Sequence, residues 1–153
     1  TTKSDPKKRK IVMDLIPREY KVYPIGRLDK ESEGLIILTN DGELTQKLTH
    51  PKYGHEKEYR VKVNKKITTD YINSFKRGIK LEEGIAKADR IDTINDYEFN
   101  LVIHQGWKRQ IRRMSEKLDN EVVSLKRIRI SKLKLNKLKV GEYKEIKINE
   151  IIS

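Results

Sequence analysis

The chain has 153 residues, and its 35 lysines and arginines outnumber its 23 acidic residues, giving a formal net charge of +12 at pH 7. This length fits one domain, or one domain with two lobes, that buries a substantial core. The positive charge favours a polyanionic partner, and no apolar run approaches the roughly 18 residues of a membrane span. The sequence has no cysteine, which excludes disulfides and thiolate metal sites and fits the reducing cytosol, where we expect the protein to act.

The chain begins with a basic segment and two short apolar elements. Residues 1–10 are polar and basic, and they form either a solvated arm or an arm that contacts phosphates. Residues 11–16 are apolar and are followed by Pro17, so we predict one or two helical turns. Residues 20–24 alternate between polar and apolar side chains, which predicts a short strand.

A polar loop bounded by glycines follows and leads into an apolar run. Residues 26–34 hold one aspartate, Asp29, directly after an arginine and a leucine. The continuous apolar character of residues 35–39 predicts a central strand. Asn40 and the glutamate three residues later have the spacing of a capping box, so we predict a helix over residues 41–48 with Asn40 as its N-cap.

The middle of the chain has a clear strand and a clear helix. Residues 51–54 predict a turn, and residues 58–63 alternate so that Tyr59 and the two valines share one face of a strand. Residues 68–77 have the spacing of an amphipathic helix, and Gly78 is its expected end.

Residues 82–98 form an acidic stretch, with six acids against two bases. Residues 86–94 and 98–104 are predicted to pair as strands around a turn at residues 95–96. We interpret the acidic residues of this hairpin as a solvated face directed away from any polyanion.

The strongest helix prediction covers residues 108–118, because Ile111, Met114 and Leu118 fall on one face. Residues 122–135 alternate basic and apolar side chains, which predicts a long strand that is bent or bulged. A turn at residues 140–143 is then expected.

Residues 144–152 are predicted to form a final strand. The positive charge is concentrated between residues 107 and 139, where twelve bases face three acids. A helix and strand that keep their apolar side chains inward and their arginines outward would form an electrostatic footprint for nucleic acid.

The residues by themselves leave the chemistry open. An aspartate such as Asp29 in a polar loop is either a turn former, half of a surface ion pair, or a catalytic acid. His50, His55 and His104 do not have the spacing of metal ligands, so we expect no metal site. There is no glycine-rich phosphate loop and no nucleophile elbow. Composition and sequence pattern therefore indicate a basic α+β domain that binds RNA or DNA, and they do not specify its chemistry.

Four motifs, in order and covering almost the whole chain, resemble a known enzyme family. The sequence GRLDKESEGL at residues 26–35 resembles the catalytic motif of pseudouridine synthases in the RsuA branch, which modifies bacterial ribosomal RNA. KEYRV at 57–61 is similar to the tyrosine motif, GWKRQIRRM at 106–114 to the arginine motif, and EVVSLKRIRI at 121–130 to the strand that follows. The sequences at residues 29–32 and 55–59 are similar to those of the RluF-like members of this branch.

The resemblance implies a fold and a reaction. The implied fold is α+β, with a mixed, largely antiparallel sheet, flanking helices and a central RNA-binding cleft. The implied reaction converts uridine to pseudouridine in ribosomal RNA, without a metal or an organic cofactor. We expect RNA as the partner, no membrane association, and a monomer.

The resemblance also implies roles for individual residues. Asp29 matches the essential aspartate that acts on the ribose, and Tyr59 matches the tyrosine that stacks on uracil. Arg112 matches the basic residue that pairs with the aspartate, Leu125 the apolar residue beneath the base, and Arg27 a residue that contacts the RNA backbone or displaces the flipped base. The expected substrate-binding residues also include Lys108, Arg109, Gln110, Arg113 and Arg127.

Residues 1–153 are therefore expected to form a pseudouridine synthase catalytic domain. The sequence starts at Thr1 and contains neither the Lys-Pro-x-Gly strand nor the S4-type RNA-binding domain common in the family, so we expect an N-terminal truncation. A further departure is Trp107, where many relatives have a small or polar residue. The alternative hypotheses are a non-catalytic RNA-binding or ribosome-assembly module on the same scaffold and, without a helix-turn-helix signature, a DNA-binding regulator.

Overall fold

A computed structural model describes Thr1 and residues 11–153 of the chain. The predicted arm at residues 2–10 lies outside the described residues. The first element is a short 3-10 helix at Val12–Leu15, which confirms the prediction of a helical turn there. None of the helices in the described part of the chain is long and apolar enough to cross a membrane.

The main sheet is built around one long strand. Strand β4 (Lys57–Val63) pairs antiparallel with β8 (Glu98–Ile103) on one side and with β9 (Val122–Ile130) on the other. Strand β7 (Arg90–Thr93) extends the sheet beyond β8, and β10 (Leu133–Lys134) extends it beyond β9. The short strand β2 (Glu33–Gly34) adds the one parallel pairing of this described sheet, to β9. The predicted mixed and largely antiparallel α+β fold is confirmed.

Two helices cover the inner face of this sheet. Helix α2 (Thr69–Arg77) begins at Thr68, whose hydroxyl accepts a hydrogen bond from the Tyr71 N–H, and ends at Gly78 with φ of 109°. Helix α3 (Gln110–Lys117) lies against β9. Both helix predictions are confirmed, although α3 begins two residues later than expected. The rings of Tyr71, Phe75 and Phe99 pack at the centre of this core, with centroids 5.0–5.7 Å apart.

A small hairpin, β5 (Ile79–Leu81) with β6 (Gly84–Ala86), lies beside α3. The sequence interpretation missed it and assigned residues 86–94 to a single strand. The chain leaves the hairpin after Ala86, and the N–H of Ala88 donates to the Phe75 carbonyl at 3.0 Å. This bond separates β6 from β7, so the predicted pairing around residues 95–96 is correct only from Arg90 onward.

The prediction of a central strand at residues 35–39 is wrong. Among the described strands, β3 (Ile37–Thr39) pairs with β1 (Tyr23–Ile25) alone, in a two-stranded ribbon beside the main sheet. The side chains of this segment alternate, with Leu35 and Ile37 buried and Ile36 and Leu38 half-buried. The run is apolar because it bridges the ribbon and a second core, which contains Ile25, Leu35, Ile37, Leu44, Leu48, Ile130, Ile151 and Ile152.

Helix α1 (Gly42–Thr49) packs on this ribbon, and its N-cap is Asp41 rather than the predicted Asn40. The Asp41 carboxylate accepts hydrogen bonds from the N–H groups of Glu43 and Leu44 at 2.9 and 3.1 Å. Both residues are good N-caps, and Asp41 is the one that directly precedes Gly42, the first residue of the helix. The helix itself is confirmed.

The C-terminal part differs from the prediction in two places. The strand expected over residues 122–135 is a hairpin, because Ser131 at φ of 51° turns the chain between β9 and β10. The strand expected over residues 144–152 is wrong, since this segment contains a 3-10 helix at Ile148–Glu150. The Glu150 carboxylate accepts from the Lys147 N–H at 2.6 Å and curls the chain, so that Ile151 and Ile152 enter the second core.

Candidate active-site cleft

A cleft of about 520 Å³ lies between the loop that carries Asp29, the outer halves of β4 and β9, and the segment before α3. Its volume is in the range of pockets that hold a small ligand. Eight of the ten site residues predicted from the sequence line it, and Arg112 and Arg113 do not. The eight are Arg27, Asp29, Tyr59, Lys108, Arg109, Gln110, Leu125 and Arg127.

Asp29 also borders a larger cavity of about 900 Å³, on the opposite side of its loop. That cavity is lined mainly by aliphatic residues between Ile11 and Ile16, between Leu28 and Asn40, and between Leu133 and Ile146. It brings none of the other predicted site residues to Asp29. We therefore assign the chemistry to the smaller cavity, called the Asp29 cleft below.

The Asp29 loop is held to the main sheet at its end. The N–H of Leu35 donates to the Arg127 carbonyl at 2.9 Å, and the Arg127 Nε donates to the Leu35 carbonyl at 2.8 Å. Gly34 makes this approach feasible, because a Cβ atom there would overlap the Arg127 backbone. Within the loop, the Ser32 N–H donates to the Asp29 carbonyl at 2.9 Å.

The sheet places Tyr59 in the cleft that Asp29 also lines. In the register of β4 and β9, Tyr59 lies opposite Arg127, and Val61 lies opposite Leu125. Tyr59 is half-buried and packs against the main core, with part of its surface open to the cleft. Leu125 is buried, which suits a residue that supports a ligand from below.

Arg112 holds the Asp29 loop without pairing with Asp29. Its guanidinium is on α3 and is only 7% exposed, and it donates to the Glu31 carbonyl at 3.1 Å and the Ser32 hydroxyl at 3.4 Å. A further bond of 3.4 Å reaches the Val122 carbonyl. The expected Arg112–Asp29 ion pair is not among the contacts of the described residues, because the guanidinium is directed to the backbone just after Asp29.

The expectation that the arginines of residues 107–139 point outward is wrong for Arg112 and Arg127. Arg127 is only 3% exposed because its long side chain turns inward to the Leu35 carbonyl. Arg113 is directed away from the cleft and makes a two-pronged ion pair with Glu83, at 2.8 and 2.6 Å. This pair lowers the pKa of Glu83 below its ordinary value of 4.5.

Arg109 adds a second connection between α3 and the Asp29 loop. Its guanidinium donates to the Glu31 carboxylate at 3.0 Å. A hydrogen bond from the backbone N–H of Glu31, together with this contact to Arg109, lowers the pKa of Glu31. Arg109 itself has φ of 50° at the start of α3, and this turn directs the preceding residues into the cleft wall.

The segment before α3 is fixed by Gln110, which is only 3% exposed. Its side chain accepts from the Trp107 N–H at 3.2 Å and donates to the Gln105 side chain at 2.8 Å. The indole of Trp107 lies against Gly84 of the β5–β6 hairpin. The wall of the cleft is thus supported by a hairpin that the sequence interpretation missed.

Trp107 and Lys57 also line the cleft, although the sequence did not predict them as site residues. Trp107 lines it beside Lys108, and the sequence marked it only as a departure from the family pattern. Lys57 lines it beside Tyr59, and the signal that could have found it is its spacing of two residues from Tyr59 on one strand. Burial, followed by the nearby Arg127 charge, lowers the pKa of Lys57.

The chemistry available in the cleft is that of one carboxylate, one phenol and several cations. Across Thr1 and residues 11–153, no group of three or more histidine, cysteine or acidic side chains is arranged to hold a metal ion. A carboxylate such as Asp29 can act as a nucleophile, as a base, or as a partner for positive charge that develops on a ligand.

Comparison with known proteins assigns the chain to a family. The model of the RNA pseudouridylate synthase family matches residues 2–117. The dual-specificity RNA pseudouridine synthase RluF of Escherichia coli K12 is 38% identical over 141 residues, covering 92% of this chain and 49% of RluF. The ribosomal large subunit pseudouridine synthase B of Bacillus subtilis is 40% identical over 156 residues, covering 96% of this chain and 63% of that protein.

The fold gives the same assignment. A solved structure described as a crystal structure of pseudouridylate synthase superposes with a TM-score of 0.87 and 32% identity, covering 92% of this chain and 63% of that one. The chain thus spans about half the length of RluF and somewhat more of the other relatives. On the match of its sequence motifs, its fold and the family model, the chain belongs to the RNA pseudouridylate synthase family.

Proposed function

We propose that the chain isomerises uridine to pseudouridine in ribosomal RNA, with Asp29 acting on the ribose of a nucleotide flipped into the cleft. The observation that carries the proposal is that Asp29 and Tyr59 line one cleft in a member of this family. The names of its relatives, a dual-specificity RNA pseudouridine synthase and a ribosomal large subunit pseudouridine synthase, support the substrate class.

The reaction is an internal transfer that needs no other reactant. The bond between N1 of uracil and C1′ of ribose breaks, the base turns, and C5 bonds to C1′. The proton that leaves C5 balances the one taken up at N1, so the product is an isomer of the substrate. Positive charge develops at C1′ as the bond breaks, and the Asp29 carboxylate would stabilise it electrostatically. Attack of Asp29 at C1′ and removal of a proton at C2′ are both compatible with this role.

Tyr59 and Leu125 are assigned to the base. The Tyr59 ring is part of a rigid central strand, so it can stack on uracil without losing much conformational freedom, and its hydroxyl can help to move the C5 proton. Leu125 offers an apolar surface beneath the base. A stacked uridine hides both C1′ and C5, and for this reason the nucleotide must leave the helix before reaction.

The exposed cations at the mouth of the cleft are assigned to the RNA backbone. Arg27 and Lys108 are exposed and line the cleft, and neither forms an ion pair among the described residues. Gln110 and Arg109 contribute by holding the wall and the Asp29 loop. We assign Arg113 to the support of this wall through Glu83 rather than to direct contact with RNA.

The proposal also includes the oligomeric state of the protein and its location in the cell. We infer a monomer that acts in the cytoplasm, where the ribosomal RNA of the proposed reaction is found. Residues 1–153 would then form a pseudouridine synthase catalytic domain.

The decisive experiment maps pseudouridines in ribosomal RNA by carbodiimide adducts that stop reverse transcription. A strain without the gene should lose one or a few stops, and the wild-type gene should restore them. Asp29→Asn should not restore them, whereas Asp96→Asn, at an exposed turn on the far side of the sheet, should. Purified Asp29→Asn protein should melt at the wild-type temperature and bind the RNA.

A non-catalytic RNA-binding or ribosome-assembly module is the second candidate, because most of the cleft is lined by cations and neutral groups. In that case Asp29→Asn would restore every function of the wild-type gene, and no stop would depend on the gene. Retention of the stops with Asp29→Asn would overturn the catalytic assignment.

A further inference from the structure

Lys57 and Arg127 are two neighbouring cations in the wall of the Asp29 cleft. Lys57 is on β4, two residues before Tyr59, and Tyr59 lies opposite Arg127 in the register of β4 and β9. Both cations line the cleft. Lys57 is half-buried, whereas Arg127 is almost fully buried.

Neither cation has an anionic partner among the residues that the structure describes. The other arginines of these two strands do have one, since Arg60 pairs with Glu98 at 2.8 Å and Arg129 pairs with Glu58 at 3.1 Å. The Nε atom of Arg127 donates to a neutral carbonyl, that of Leu35. Its Nη2 atom is buried and has no acceptor in the described part of the chain.

Two like charges placed side by side at reduced solvation are costly unless an anion joins them. The lowered pKa of Lys57, caused by burial and by Arg127, reflects this cost. Asp29 lines the same cleft but lies beyond ion-pair distance of both. The arrangement therefore has the electrostatics of an anion site whose ligand comes from outside the protein.

We propose that Lys57 binds a phosphate group of the nucleotide that enters the Asp29 cleft, and that Arg127 adds positive potential. A lysine ammonium binds phosphate as a compact charge, and an RNA nucleotide carries a phosphate on each side of its ribose. The proposal rests on the proposed function in that its ligand is a nucleotide. It assigns Lys57 to substrate binding and positioning, and it makes no claim about bond breaking.

The test uses the fluorescence of Trp107, which is the sole tryptophan of the sequence and lines the same cleft. The whole chain is titrated at constant ionic strength with uridine, uridine 5′-monophosphate and uridine 3′-monophosphate. At least one monophosphate should bind about tenfold more tightly than uridine, as expected for one added charge contact. The pH is the same in every titration.

The variants separate the anion site from general positive charge. Lys57→Met keeps much of the apolar stem and should reduce the preference for the monophosphate to less than about twofold. Lys57→Arg should retain most of the preference. Lys62→Met removes an exposed lysine of the same strand and should leave the preference unchanged, and the melting temperature of each variant shows whether it is folded.

Three outcomes would overturn the proposal: equal affinities for uridine and both monophosphates, a preference that survives in folded Lys57→Met, or no saturable response to either monophosphate up to its solubility limit. The same titration with Asp29→Asn separates this proposal from the catalytic one. A retained preference in an Asp29→Asn protein that still forms pseudouridine would overturn only the catalytic assignment of Asp29. A missing preference in the wild type, with activity that depends on Asp29, would overturn only the anion site.

Discussion

Two hydrogen bonds join Leu35 and Arg127, one to the backbone of the arginine and one from its side chain. The Leu35 N–H donates to the Arg127 carbonyl at 2.9 Å, and the Arg127 Nε donates back to the Leu35 carbonyl at 2.8 Å. The backbone of the Asp29 loop is therefore bound to β9 by both a main-chain and a side-chain contact. Because β9 also contributes Leu125 to the cleft, the acid and the apolar floor are held in one frame.

Gly34→Ala should separate the Asp29 loop from β9. Gly34 has φ of 116°, and a Cβ atom there would overlap the backbone of Arg127. The overlap and the backbone strain together should lower the free energy of unfolding by about 3 kcal/mol or more. Urea unfolding measures this loss, and pseudouridine formation by the remaining folded protein should fall because Asp29 is displaced.

Gly54→Ala is the matched control for this change. Gly54 also has a positive φ, of 55°, but a Cβ atom there would meet nothing within 4 Å. Its cost should be only the backbone strain, about 1 kcal/mol, with activity retained. Equal losses for the two variants would show that the approach of Gly34 to Arg127 is not important.

Arg112→Met should impair the reaction more than the binding of RNA. The change removes the donor to the Glu31 carbonyl and the Ser32 hydroxyl, so among the described residues only the Arg109–Glu31 ion pair still connects the Asp29 loop to the start of α3. Misplacing a catalytic group by about 1 Å can cost on the order of 100-fold in rate, and we expect a loss of this size in kcat with a small change in KM. Single-turnover kinetics on the mapped RNA measures both.

Hydrogen exchange distinguishes this positioning role from direct contact with RNA. The amides of residues 29–34 should exchange faster in Arg112→Met than in the wild type without RNA, because their local opening becomes easier. Lys117→Met, at the exposed last turn of α3, is the control and should change neither exchange nor kcat. Unchanged exchange together with a raised KM would assign Arg112 to RNA binding instead.

The sequence was sufficient for elements whose local signals agree with their packing. Thr68 and Gly78 bound α2 as predicted, and the alternation from Tyr59 to Val63 identified β4. It failed where one pattern fits two environments. Residues 35–39 have the composition of a central strand, yet Ile37–Thr39 pairs with Tyr23–Ile25 and with no other described strand.

The same limit applies to the candidate site. Motifs brought Asp29, Tyr59 and Leu125 to one cleft, but they could not specify where a long arginine side chain would reach. Arg112 and Arg127 turn inward to backbone carbonyls, a choice made by tertiary contacts and not by alternation. Glu83, in the acidic stretch that we interpreted as solvated, likewise forms an ion pair with Arg113. Glu83 lies in the β5–β6 hairpin, which the sequence pattern did not predict.

Glu83→Gln should destabilise the cleft wall at neutral pH and have less effect in acid. The two-pronged bond to Arg113 holds the pKa of Glu83 below its ordinary value of 4.5. A lowered pKa in the folded state gives stability that is present above pH 4.5 and is lost as the pH falls through the folded value. The difference in unfolding free energy between wild type and variant should therefore be largest near pH 7 and shrink below pH 4.5.

Urea unfolding at the two pH values measures this difference. Glu82→Gln is the control, because Glu82 is exposed and makes no ion pair among the described residues. It should leave the unfolding free energy nearly unchanged at both pH values. A difference for Glu83→Gln that stays constant with pH would mean that the carboxylate charge is not what stabilises the hairpin against α3.

Tyr71→Phe should change the response of the fold to alkaline pH. The Tyr71 hydroxyl lies 2.7 Å from the Ser115 Oγ, and that Oγ donates to the Asn120 carbonyl, so Tyr71 donates to Ser115. At neutral pH, loss of this bond should cost about 1 kcal/mol. Burial raises the pKa of Tyr71 from 10.0 to about 12, so the folded state keeps the proton above pH 10 while the unfolded state loses it.

Between pH 10 and 12, wild-type stability should therefore fall by about 1.4 kcal/mol per pH unit more than that of Tyr71→Phe. The advantage of the wild type should shrink above pH 10 and then reverse, which urea unfolding at stepped pH values detects. Tyr97→Phe changes an exposed tyrosine, and its stability should follow that of the wild type throughout. A constant difference between wild type and Tyr71→Phe would show that Tyr71 ionises as readily in the folded protein as in the unfolded one.

Since Ser115 and Arg112 are on the same helix, activity measured in parallel shows whether loosening α3 at its buried face also displaces the Asp29 loop.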